Sequence, residues 1–212
     1  MLKTTIVCVV GPPGCGKNFQ LTKLKVAGLF PAKYLSSGDT FRDAQKSNPR
    51  LWEKVRPYLT GENKQKSRLV PDEILREVMT PQIKRATGLV FLNGIPRTSS
   101  QLEWILSFQG ARVRILFLQA EYERCLARIA NRRDQEGRLD DNAADARERM
   151  VEFQLLTVPV LRAAHQCELV RVIDVNGGPE ESHTNFLRGL AEILPDHRQI
   201  LLEHADKSPV SP

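Results

Sequence analysis

The sequence has no CxxC pair, no cluster of histidines and no apolar run long enough to cross a bilayer, and each absence removes a class of protein. The four cysteines, Cys8, Cys15, Cys125 and Cys167, are scattered along the chain. The four histidines, His165, His183, His197 and His204, do not combine with them into a zinc-ligand pattern. Free thiols in a reducing, cytoplasmic compartment are therefore expected, with neither a structural zinc nor a disulfide framework. Aromatic residues make up only 6% of the chain, and no patch interleaves them with basic residues. Nucleic acid is accordingly not an expected partner, and neither is a membrane. The opening residues, MLKTTIVCVVGPPG, lead straight into a glycine-rich motif and read as a strand rather than a cleaved leader.

The chain that remains has 212 residues, 41% of them apolar, which is enough for one substantial core. Lys and Arg number 31 against 25 Asp and Glu, a formal charge of +6. A charge of this size suits an ordinary solvated surface or a pocket for polyanions, and composition alone favours the surface. The placement of the arginines must separate the two.

Residues 4–10 form a continuous β-branched, apolar run, the pattern of a strand buried on both faces. Further strands are expected at 33–36, 88–92, 112–118 and 169–175. Helices are expected at 16–27, 51–59, 71–83, 99–108, 122–131, 142–164 and 180–194. Asp39 is expected to cap a short helix through Phe41 and Arg42. Pro71, followed by Asp72 and Glu73, has the composition of a helix start. Strands alternating with helices predict an α/β sandwich around a parallel sheet, with phosphate ligands beyond the carboxyl ends of the strands. The final residues, DKSPVSP, are expected to fray.

One motif carries chemistry by itself. Gly11, Pro12, Pro13, Gly14, Cys15, Gly16 and Lys17 fit the G-x-x-x-x-G-K pattern between a buried strand and a helix. Glycines let backbone N–H groups turn inward around phosphate oxygens, and the helix start adds partial positive charge. Lys17 is placed to reach the outer phosphates.

With this loop, the segments YLSSGDTFR, LVPDEIL, GIPRTSSQ and GRLDD and the arginine-bearing helix after them resemble the adenylate kinase family of nucleoside monophosphate kinases. The resemblance covers roughly residues 4–192 and matches the family's short-lid variant. It implies a three-layer P-loop NTPase fold with a five-stranded parallel sheet. It also implies a small mobile NMP-binding segment at about 39–72 and a short lid at about 132–141, all within a domain at 1–194, with 195–212 as a C-terminal tail. The implied substrates are ATP, AMP and ADP, with Mg2+ held through nucleotide phosphates and water, in a cytoplasmic monomer.

The residue roles follow from the same resemblance. Lys17 and the loop residues, continuing through Asn18 and Phe19, would hold the donor phosphates, and Arg128 would lie against the donor. Arg42 and Arg97 would grip the acceptor phosphate, in a site framed by Ser37, Gly38, Val70 and Gly94. Arg132, Arg138 and Arg149 would close over the transferred group. Asp140 and Asp141 would sit at the lid edge, and Gln101 would read the acceptor base. Several planar, multi-donor arginines suit a transfer that needs alignment and charge neutralisation rather than covalent help.

The sequence also departs from the family. Asn18 and Phe19 stand where the family usually has Gly and Thr, and many phosphate loops have a magnesium-binding Ser or Thr at position 18. Asn93 replaces the aspartate that orders magnesium's water shell. A polar insertion at about 60–68 precedes the LVP segment. Two readings follow. One is a phosphotransferase acting on ATP and AMP, and the other a nucleotide-binding relative used for sensing or protein interaction.

Overall fold

A computed structural model describes residues 4–60, 69–136 and 143–207. Its centre is a five-stranded sheet built from β1 (Thr5–Val10), β2 (Ala32–Ser36), β3 (Leu89–Asn93), β4 (Arg112–Gln119) and β5 (Val170–Asp174). The order is β2-β3-β1-β4-β5 and every pairing is parallel. The three-layer α/β arrangement expected from the sequence is thus the one observed.

The apolar run of β1 explains why that strand is innermost. Its alternate residues feed two separate cores. Val7 and Val9 pack on one face with Leu21 and Leu24 of α1 (Lys17–Ala27) and Phe186 and Leu190 of α9 (Pro179–Ile193). Ile6, Cys8 and Val10 pack on the other face with Met79 of α4 (Asp72–Lys84), Ile105 of α5 (Ser99–Leu106) and Leu161 of α8 (Val158–Gln166). Only apolar side chains on both faces of one strand satisfy both layers.

Strand register sets the site. Asn93, the last residue of β3, lies level with Val9 on one side and Ser36 on the other. The carboxyl ends of three neighbouring strands therefore deliver the glycine loop, Ser36 and Asn93 to one edge of the sheet.

Three details differ from the sequence expectation. Ser36 caps α2 (Ser37–Ser47), accepting from the Asp39 N–H at 3.2 Å, while Asp39 pairs instead with Arg42 at 2.5 Å. Both residues carry a suitable oxygen, and the end of β2 places the Ser36 hydroxyl over the first turn.

The helix expected at 142–164 is broken into α7 (Ala143–Glu152), a π-turn (Phe153–Thr157) and α8. Val158 donates to the Phe153 carbonyl five residues back. Pro159 follows at once, and having no N–H it cannot continue the regular ladder, so the wider turn relieves the helix there.

The C-terminal tail expected from 195 begins instead as a 3-10 turn (Pro195–His197) and helix α10 (Arg198–Lys207). Leu201 and Ala205 are buried in the core, and His197 stacks on Phe30 with ring centroids 4.6 Å apart. Leu201, Leu202 and Ala205 form an apolar stripe at helical spacing within an otherwise polar segment.

The insertion expected at 60–68 lies almost wholly outside the described residues. Among those described, no helix is long and apolar enough to cross a membrane.

Candidate functional site

The loop after β1 is shaped by its glycines. Gly14 has φ +80°, and a Cβ there would lie 2.3 Å from the Cys125 carbonyl oxygen, so a side chain is excluded by both conformation and space. Gly16, at φ +94°, occupies the N-cap of α1. The loop and the first turn of α1 line a cavity of about 1040 Å³. Pro12 alone of the loop residues is not part of that lining, and it contributes its carbonyl to Lys17.

Lys17 is half-buried and folded back on the loop. Its Nζ donates to the carbonyls of Gly11 at 2.7 Å and Pro12 at 2.9 Å, and approaches Cys15 Sγ at 3.5 Å. Burial lowers the Lys17 pKa from its ordinary value; the Cys15 sulfur opposes the shift, and the Arg97 and Arg149 cations reinforce it. Arg97 opens on the same cavity. Desolvation first, then Arg149 and Arg42, pull its guanidinium pKa down, with Glu152 offsetting part of the effect. Four cations, three from helices and Arg97 from the loop after β3, thus share one cleft, an arrangement that an anion would relieve.

A smaller adjoining pocket is lined by Ser37, Gly38, Arg42, Val70, Gly94, Arg97, Gln101 and Arg149. The expected acceptor-side residues are therefore brought together. A Cβ on Gly38 would lie 3.1 Å from Arg42 Nη2, and one on Gly94 would lie 3.2 Å from Arg97 Nη2. Both glycines let a guanidinium lie flat against the backbone. Arg97 is fixed further by Nε donating to the Gly94 carbonyl at 2.9 Å.

Gln101 is buried with both amide ends engaged. Its Oε1 accepts from the Arg97 N–H at 2.7 Å, and its Nε2 donates to Asp72 Oδ1 at 2.7 Å. Thr98 Oγ1 donates to the other Asp72 oxygen at 3.0 Å.

On the donor side, Arg128 lines the large cavity and donates to the carbonyls of Val175 at 2.9 Å and Gly177 at 3.2 Å. Phe19 is 43% exposed at the cavity rim, with Lys23 Nζ 5.8 Å from its ring centroid; Lys23 in turn pairs with Glu180 at 2.5 Å. Asn93 Nδ2 donates to Asn18 Oδ1 at 2.7 Å, joining the end of β3 to the first turn of α1. Arg138, Asp140 and Asp141 lie outside the described residues, as does the side chain of Arg132.

The residues at the expected metal position do not fit a protein-held Mg2+. Asn18 and Asn93 are both neutral amides and are committed to each other, whereas a hard dication prefers carboxylate or hydroxyl oxygen there. Among the described residues, no three His, Cys, Asp or Glu side chains converge as a metal site.

Two contributors to this region were not singled out from sequence. Thr157, 2% exposed in the π-turn, donates through Oγ1 to the Arg97 carbonyl at 3.1 Å. Asp72, read only as a helix-start residue, anchors Gln101 and Thr98. The available signal for Thr157 was a threonine two residues before a proline inside a helical pattern, which marks an irregular turn.

Comparison with known proteins places the chain in a family. A family described as "Adenylate kinase" matches residues 9–167. An adenylate kinase of Thermus thermophilus is 30% identical over 188 residues, covering 87% of this chain and 96% of the relative. One from Maricaulis maris is 30% identical over 193 residues, covering 88% and 98%. Another, from Encephalitozoon cuniculi, is 32% identical over 161 residues, covering 76% and 83%.

Proposed function

The chain belongs to the adenylate kinase family, and from that membership we propose that it transfers a phosphoryl group reversibly between ATP and AMP. One acceptor phosphate oxygen of AMP attacks the γ-phosphorus of ATP. The bond from that phosphorus to the β–γ bridging oxygen breaks, and two ADP result. The observation that carries the reading is the convergence of Lys17, Arg42, Arg97 and Arg149 on two adjoining pockets at the glycine loop.

The loop amides and Lys17 hold the β- and γ-phosphates, and Lys17 follows the charge onto the leaving oxygen. Arg42 and Arg97 hold the AMP phosphate in line, with Arg149 across the transferred group. Arg132 and Arg138 join them by family position. No step is assigned to magnesium, since Asn18 and Asn93, the residues at the expected metal position, are neutral amides. Gln101 keeps one amide hydrogen and one carbonyl lone pair beyond its contacts with Asp72 and Arg97. These complement the ring nitrogen and amino group on adenine's pairing edge, which favours AMP as acceptor.

A specific observation supports a second reading, a nucleotide-binding relative without turnover: the Asn18–Asn93 pair stands where metal-directed groups are expected. Interconversion of ATP, AMP and ADP by purified wild type, beside Lys17→Ala and Arg97→Ala, separates the two. Turnover lost in both variants with the fold retained supports the enzyme. Near-normal rates in either variant sink it, and nucleotide binding without any wild-type turnover establishes the second reading.

A further inference from the structure

The donor side of the cavity carries a feature that the reaction does not require. Phosphate loops of this kind commonly bring magnesium to the protein through a hydroxyl at the end of the motif and an acidic side chain at the end of a neighbouring strand. Here the two corresponding positions are Asn18 and Asn93. They come from different elements, both line the large cavity, and they are tied together at 2.7 Å.

The direction of that bond matters. Asn18 accepts through Oδ1, so the one side-chain oxygen it has for a cation already faces an amide hydrogen. Its Nδ2, with two hydrogens, is left unused by the pair. A side chain in this state offers two donors and only one remaining lone pair on a neutral oxygen. Asn93 also retains a carbonyl oxygen, but neutral ligands hold a hard dication poorly against water. Cations outnumber anions here: Lys17, Arg97 and Arg149 act on one another and each repels a dication, with Glu152 offsetting only part of their charge on Arg97.

We infer that the Asn18–Asn93 pair replaces protein anchoring of a divalent cation by hydrogen-bond donation to the donor phosphates, so that this chain binds the metal-free and metal-bound nucleoside triphosphate about equally well. The inference rests on the reading of this cavity as the donor site. Any metal then travels on the nucleotide's own phosphates and water. The protein neutralises the remaining charge with Lys17, the arginines and the Asn18 amide. By reciprocity, the cation binds nucleotide on the protein no more tightly than it binds nucleotide free in solution.

The test is calorimetric titration of wild type with adenylyl imidodiphosphate, an ATP analogue that cannot transfer its terminal group, once with excess Mg2+ and once with EDTA. The two affinities are expected to agree within about threefold, and the Asn18→Ser/Asn93→Asp double variant to bind about tenfold more tightly with Mg2+ than without it. Wild-type affinity rising tenfold or more with Mg2+ would overturn the inference while leaving the kinase reading intact. A double variant as indifferent to the metal as wild type would overturn it too, because the amide pair would then not set the response. Absence of binding under both conditions would fail the donor-site reading itself, and the inference with it.

Discussion

Thr157 Oγ1 donates to the Arg97 carbonyl at 3.1 Å, across sixty residues of chain, and so ties the π-turn of one helix to an arginine of the acceptor pocket. Together with Gln101 on its N–H and Gly94 under its Nε, the bond fixes Arg97 at three points. With its backbone held at both N–H and carbonyl and its guanidinium at Nε, the arginine need not be ordered by its ligand.

Thr157→Val keeps the shape and removes the donor. Steady-state kinetics should show kcat/KM for AMP falling about tenfold, while the unfolding free energy falls by only about 1 kcal/mol. Thr157→Ser should restore the kinetics. A loss of stability with unchanged kinetics would mean that Thr157 only packs.

Gln101→Leu strands the Arg97 N–H and Asp72 Oδ1 without their amide partners. Urea unfolding should report a loss of about 2–3 kcal/mol, and KM for AMP should rise more than KM for ATP. An equal change in both KM values would remove Gln101 from the acceptor side.

His183 gives the stability of the fold a pH signature. It is 1% exposed, its Nδ1–H donates to Gln20 Oε1 at 2.7 Å, and its Nε2 has no partner. Burial first, then Lys23, lowers its pKa to about 4 from 6.5, against a smaller opposing effect of Glu180. The unfolded chain therefore takes up a proton at a pH where the fold refuses one. Stability should be unaffected by this group above about pH 6.5 and should fall as pH drops towards about 4, by roughly 3 kcal/mol in all. Unfolding curves of wild type and His183→Gln across that window should diverge as the pH falls. Parallel curves would show that other groups set the acid limb.

Leu201 is wholly buried, and Leu201→Ala should cost about 2–4 kcal/mol in chemical denaturation. Ending the chain at 194 removes the whole of α10 and should be more damaging still. A truncated chain as stable as the full one would show that α10 is dispensable.

Much of the fold was legible because the strands are short, apolar and β-branched, and burial on both faces permits little else. The phosphate loop was legible because its glycines and lysine are local in sequence. What sequence did not disclose depends on partners far along the chain. Ser36 and Asp39 are equally good caps until β2 fixes which side-chain oxygen overhangs the helix. Asn18 and Asn93, 75 residues apart, each read as a lost ligand, and only strand register makes them a pair. The helix at 198–207 was hidden by its polar residues, since three apolar positions are a weak stripe until a core receives them.

Lys17 has a consequence for discrimination among anions. Its ammonium has three hydrogens, and three atoms of its own loop surround it. Capturing a phosphate is therefore an exchange, in which the incoming anion must outbid two backbone dipoles already at bonding distance. A dense polyanion such as a triphosphate wins that contest readily, whereas chloride, a carboxylate or another diffuse monoanion gains little over the carbonyls it displaces. The lysine thus acts as an internal competitor that filters ligands by charge density before any base is read.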